Sequence, residues 1–149
     1  MHSAFNALVL SNINSITLLK LLKKSIDSKN TLKKYKKMFI INLINNEYIQ
    51  DNDLQYFTGV HTISLIHCHK ITNSGMKYVK NVHTINICYC CQITYIGILL
   101  LKEAESVNLC SCTFTIPKGY YENVNNYYLY DHYKNNYYKS NYFCTLGTQ

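Results

Sequence analysis

Val60-x-x-Ile63-x-Leu65-x-x-Cys68-x-x-Ile71-Thr72 and Val82-x-x-Ile85-x-Ile87-x-x-Cys90-x-x-Ile93-Thr94 superpose residue for residue at an interval of 22. Stepping back by that interval meets Met38, Ile41, Leu43, Asn46 and Ile49. Stepping forward meets Ala104, Val107, Leu109 and Cys112, with the last apolar position blurred around Phe114 to Ile116. Four units over residues 29–116 therefore share one pattern, and a strict internal period of this size is the mark of a stacked repeat architecture.

Inside a unit, Val60 to Ile66 alternates so that Ile63 and Leu65 fall on one side and Thr62, Ser64 and Ile66 on the other, which is strand periodicity. Beyond Ile71-Thr72, Met76 and Val79 stand three apart behind a Thr or Asn/Ser cap, which predicts a short helix. The same apolar pair recurs as Leu32 with Tyr35, Leu54 with Phe57 and Ile98 with Leu101. A strand and a short helix in so few residues cannot bury their apolar sides alone. Neighbouring units must stack, strands parallel, each supplying one rung of a shared core.

The two ends are less regular. Ile16-x-x-Leu19-x-Leu21-x-x-Lys24 repeats the strand signature with Lys in place of Asn or Cys. Ile13, Ile16 and Leu19 also fit one face of an amphipathic helix, so residues 1–28 are expected to form an N-terminal cap or a degenerate repeat. At the other end Pro117 interrupts the pattern. Val124-x-x-Tyr127-x-Leu129-x-x-His132 then restores it after 20 residues instead of 22. Nine of the fifteen tyrosines lie in 117–149 among asparagines, so this segment is expected to be a cap to about Tyr133 and a tail beyond.

The tract Leu-x-x-Leu-x-Leu-x-x-Asn/Cys followed by Ile-Thr resembles the leucine-rich repeat. Its Cys68, Cys90 and Cys112 variant resembles the cysteine-containing subtype of F-box/leucine-rich-repeat proteins. The Asn/Lys/Ile/Tyr-rich style also resembles repeat proteins of large DNA viruses. The resemblance implies an α/β solenoid, a short arc with parallel strands on the concave face and short helices on the convex face. It also implies protein binding, in the manner of substrate recognition for ubiquitin ligation. No F-box is recognisable: the first 28 residues are too short for one, and the only proline is Pro117.

Charge is unevenly placed. The formal net charge is +7, and eight of the fifteen lysines lie between Lys20 and Lys37 (Lys20, Lys23, Lys24, Lys29, Lys33, Lys34, Lys36 and Lys37). Such a segment suits a nucleic acid or an anionic surface, which is the alternative function. The absence of Arg removes the side chain best shaped for phosphate and guanine, and a solvated face is the ordinary use of such lysines. No apolar run approaches the roughly 20 residues a bilayer-spanning helix needs, so no membrane partner is expected. With seven cysteines but neither a signal peptide nor an Asn-x-Ser/Thr acceptor, a reducing intracellular compartment is expected, cytoplasmic or nuclear, in a host cell if viral.

Asn46, Cys68, Cys90 and Cys112 share one phase and are expected to form a structural ladder that fills the bend after each strand and donates toward carbonyls of the turn. Recurrence at the repeat interval explains these cysteines without a metal, and the short Cys88-x-Cys90 and Cys110-x-Cys112 pairs lack the usual zinc spacing. No metal and no other cofactor is expected. Ile44, Ile66, Cys88 and Cys110 form a row on the solvent-facing side of the strands, flanked by Asn42, Ser64, Asn86 and Asn108. An apolar row where polar residues are ordinary predicts either a protein-binding surface on Ile44, Ser64, Ile66, Asn86, Cys88, Asn108 and Cys110 or a cover supplied by the Tyr-rich end. His61, His83 and Glu105 form a surface file near the strand starts. No nucleophile, base and orienting acid can be assembled from the few carboxylates, so no enzyme is expected. Asp51 and Asp53 suit capping of the helix after the first complete strand.

Overall fold

The structure, a computed structural model, describes Ala7, residues 13–110 and the backbones of strands at 127–131 and 136–139. The chain is α/β. Helices α1 (Ser15–Lys24) and α2 (Ile26–Tyr35) precede strand β1 (Ile40–Ile44). A 3-10 helix at Asp51–Phe57 then alternates with β2 (Thr62–Ile66), α3 (Asn73–Val79), β3 (Thr84–Cys88), α4 (Tyr95–Leu99) and β4 (Ser106–Cys110). Strands β5 (Tyr127–Asp131) and β6 (Asn136–Lys139) complete one sheet in the order β1-β2-β3-β4-β5-β6.

The register reproduces the sequence period. Ile41 pairs with Ile63, Ile63 with Ile85 and Ile85 with Val107, all in parallel. The next step is shorter: Val107 pairs with Tyr127 and Leu109 with Leu129, the interval of 20 visible after Pro117. Beyond Tyr133, where the sequence carries no strand signal, β6 pairs antiparallel with β5.

The alternation sorts the strand residues into two faces. Ile41, Leu43, Ile63, Leu65, Ile85, Ile87, Val107 and Leu109 are buried on one face. Leu54 with Phe57, Met76 with Val79, and Ile98 with Leu101 close over them from the helix side, and all six are fully buried. Val60, Val82 and Ala104 enter each rung before its strand, and Ile49, Ile71 and Ile93 leave after it. Met38 does not keep this phase: it is exposed, and Phe39 next to it is buried instead. Here the 3-10 turn Lys36–Met38 leads into β1 and turns the larger ring inward.

The half-fitting repeat at Ile16 is a helix. Asn14 accepts a hydrogen bond from the Thr17 N–H at 2.9 Å and so caps α1. Leu18, Leu19 and Leu22 are buried at helical spacing, whereas Leu21, which the strand reading would point inward, is exposed. The Ser15 hydroxyl accepts from the Asn42 N–H at 2.8 Å, which sets α1 against the outer edge of β1.

A second ladder ties the helix side together. Thr72 and Thr94 cap α3 and α4, accepting from the N–H of Ser74 at 3.1 Å and of Ile96 at 3.3 Å. The carboxylate of Asp51, one rung back, accepts from the Thr72 N–H at 2.8 Å and from its hydroxyl at 2.6 Å. Asn73 holds the same phase and accepts from the N–H groups of Thr94 at 2.8 Å and Gly97 at 3.1 Å. Asp53 closes a capping box with Gln50 on its own helix, whereas Asp51 does not cap that helix but reaches across to the next rung.

Candidate protein-binding face

The side of the sheet opposite the core carries three rows, because successive side chains of a strand alternate and the strands are in register. The middle row is Asn42, Ser64, Asn86 and Asn108. The Asn108 amide donates to Asn86 Oδ1 at 2.6 Å, and the Asn86 amide donates to Ser64 Oγ at 2.8 Å. These side chains hold one another and line the face with a fixed polar stripe. Ser64 is buried beneath it.

The third row brings Ile44, Ile66, Cys88 and Cys110 side by side, as their phase requires. Their exposure is unequal. Ile44 is 52% exposed and Ile66 is half-buried, but Cys88 retains only 5%. Cys88 is therefore not part of an open row, although its strand position lies between those of Ile66 and Cys110. The first row contributes Ile40, 62% exposed, beside Thr62, Thr84 and Ser106.

At the C-terminal ends of the strands stands a file not foreseen from the sequence. Asn45, His67 and Tyr89, again 22 apart, have φ of 52°, 53° and 53°. Left-handed backbone is uncommon outside glycine, is enriched for Asn and His, and is least expected for Tyr. It persists here because each residue's N–H is turned onto the next strand: Asn45 donates to Ile66 O at 2.8 Å, His67 to Cys88 O at 3.0 Å and Tyr89 to Cys110 O at 3.3 Å. The turn also stacks the His67 and Tyr89 rings, centroids 4.5 Å apart and planes within 7°. Asn45 and His67 are residue types that favour this conformation, whereas Tyr89 is not.

Behind the file lies the Asn/Cys ladder, with Asn46, Cys68 and Cys90 all buried. Cys68 donates from its thiol to Leu43 O at 2.7 Å, and Cys90 to Leu65 O at 3.4 Å. Each thiol also reaches the carbonyl that leads into its own bend, Cys68 to Ile66 O at 3.7 Å and Cys90 to Cys88 O at 3.4 Å, so the ladder joins the bend to the strand one rung back. Asn46 follows the first strand of the sheet and does the reverse, accepting from the N–H groups of Tyr48 at 2.9 Å and Ile49 at 3.0 Å. A hydrogen bond with the Cys68 thiol, together with burial, raises the Cys90 thiol above its ordinary range and keeps it protonated. Cys112, assigned to the same ladder, lies outside the described residues.

Two other clusters are on the surface. The His61 and His83 rings stack at 4.4 Å, and His83 Nε2 meets Glu105 Oε2 at 2.8 Å, so the file read from the sequence is formed. Each imidazole Nδ1 is turned to the neighbouring threonine hydroxyl, Thr62 at 3.0 Å and Thr84 at 3.1 Å. Cys91 Sγ lies 3.9 Å from His69 Nδ1. Among the described residues no three His, Cys, Asp or Glu side chains are grouped to hold a metal ion. No helix of the described residues is long and apolar enough to cross a membrane. No protein-family model matches this sequence, and no curated protein does.

Proposed function

We propose that this chain is a leucine-rich-repeat solenoid of the cysteine-containing kind and a non-catalytic scaffold that binds another protein through the sheet face opposite its core. The repeat reading is supported by the 22-residue register held from β1 to β4 and by the burial of the two core-facing residues of each of these strands, Ile41 with Leu43, Ile63 with Leu65, Ile85 with Ile87 and Val107 with Leu109. The binding reading rests on one observation. Large apolar side chains, Ile44 at 52% and Ile40 at 62%, stand exposed on a sheet face whose polar stripe is already satisfied internally. Surfaces of this composition beside a rigid aromatic pair, here His67 and Tyr89, suit the desolvated centre of a protein interface.

In this reading Ile44, Ile66 and Tyr89 anchor the partner, with Asn86, Asn108 and Cys110 beside them, while the buried Ser64 holds Asn86 in place. The F-box/leucine-rich-repeat resemblance extends the role to choosing proteins for ubiquitin ligation inside the cell. The test is affinity capture with the wild-type chain and with Ile44→Lys combined with Ile66→Lys. Both positions are accessible, so circular dichroism should be unchanged while the captured partner is lost. An identical set of captured proteins from both chains would remove the reading. A ligase core subunit captured by the wild type alone would carry it to the adaptor role.

A further inference from the structure

The helix side holds a second concave surface, independent of the sheet face. A groove of about 480 Å³ runs between α2 and the 3-10 helix Asp51–Phe57. Its apolar lining is Leu22, Leu32 and Tyr56, and its cationic lining is Lys29, Lys33 and Lys36. None of the residues lining it is acidic.

The sequence of α2 explains why the groove is open. Positions 29, 32, 33 and 36 follow one another at helical spacing and make a single stripe, the stripe a packed helix normally fills with apolar residues. Here three of the four are lysines. Leu32 is the only buried residue that α2 contributes. Lys29 keeps its ammonium 5.5 Å from the Tyr56 ring centroid, over the ring, and Lys36 lies across Gly59, where an added Cβ would come within 3.0 Å of its Nζ. Three lysines thus line one hollow, Lys29 and Lys36 with their ammonium groups placed by Tyr56 and Gly59 and Lys33 exposed beside them. That arrangement is unfavourable to itself and complementary to a ligand that brings carboxylates and an apolar group together.

We propose that this groove binds an acidic peptide segment carrying one bulky apolar side chain, with that side chain beside the part-buried Tyr56 and the lysine stems, above the buried Leu22 and Leu32, and the flanking carboxylates on Lys29, Lys33 and Lys36. A single nucleic-acid strand is less well matched, because such strands need open aromatic faces for stacking and the Tyr56 face is covered by Lys29. A membrane is less well matched because the apolar residues line a hollow and do not protrude. The site shares no residue with the sheet face, so either can fail without the other.

The test is fluorescence anisotropy of the full chain with a short labelled peptide of aspartate and glutamate around a central phenylalanine. Saturable binding is expected at low salt, weakened about tenfold when Lys29, Lys33 and Lys36 are all replaced by Gln. Exchange of the peptide's phenylalanine for alanine should weaken it comparably, an arm that needs no protein variant. Lys20→Gln with Lys24→Gln, exposed on α1 and outside the groove, should leave it unchanged. The proposal is overturned if those two substitutions cost as much as the three in the groove, or if the alanine peptide binds equally well. It is also overturned if a single-stranded oligonucleotide or phosphatidylserine vesicles bind more tightly than the peptide and lose that binding with the same three lysines.

Discussion

At the scale of single residues, the repeat is written in positions that touch across rungs as well as in apolar ones. Gly75 and Gly97 sit inside α3 and α4, where alanine is ordinarily the better helix former by about 1 kcal/mol. The expected sign is reversed here. A Cβ on Gly75 would stand 2.5 Å from Asp51 Oδ1, and one on Gly97 would stand 2.5 Å from Asn73 Oδ1. Both oxygens are held by backbone N–H groups and cannot retreat without giving those up. Gly75→Ala should therefore destabilise the chain by about 1–3 kcal/mol in urea denaturation, as overpacking of a close contact does. In an Asp51→Ala background the same change should cost much less, since the obstructing oxygen is gone. A stabilising Gly75→Ala in the wild-type background would show that the two rungs do not approach so closely. Nothing in the sequence pointed to this contact: Asp51 sits at a helix start, where capping its own helix is the local expectation, and its acceptor role lies 21 residues away.

At the scale of elements, the strands were legible because their alternation is unambiguous, and the helices because apolar pairs three apart recur behind a threonine. The first helix was not, since Ile16 and Leu19 satisfy a strand-like repeat and a helical face equally well. What decides it is Asn14, a cap in front of a run whose burial at Leu18, Leu19 and Leu22 follows the helical period. Asn14→Ala should cost about 1 kcal/mol by removing the acceptor of the Thr17 N–H, whereas Asn14→Ser or Asn14→Asp should retain most of the stability. Equal stability of the alanine and aspartate variants would show that the cap is not what starts α1. The candidate face was legible in the same partial way. Its rows followed from phase alone, but phase does not give the burial of Cys88, and the left-handed turn that stacks His67 on Tyr89 depends on neighbouring rungs.

At the scale of the whole molecule, successive strands pair with their neighbours in chain order, and stability need not be even along such a chain. The interior strands β2 and β3 have a paired strand on each side and fully buried residues facing the helices. Helix α2 contributes one buried side chain, and its lysines stand close together beside a groove. Local opening there exposes little apolar surface and relieves repulsion between like charges. Hydrogen exchange should accordingly show the amides of residues 28–35 exchanging on the order of a hundredfold faster than those of Ile63, Leu65, Ile85 and Ile87. Raising the salt concentration should slow α2 by screening its lysines while leaving the β2 and β3 amides unchanged. Uniform protection from α2 to β3, insensitive to salt, would mean that the helix is fastened by more than Leu32 and that the chain opens as a single unit. The same experiment bears on the groove, because an acidic peptide seated between Lys29, Lys33 and Lys36 should bring α2 toward the protection of the sheet.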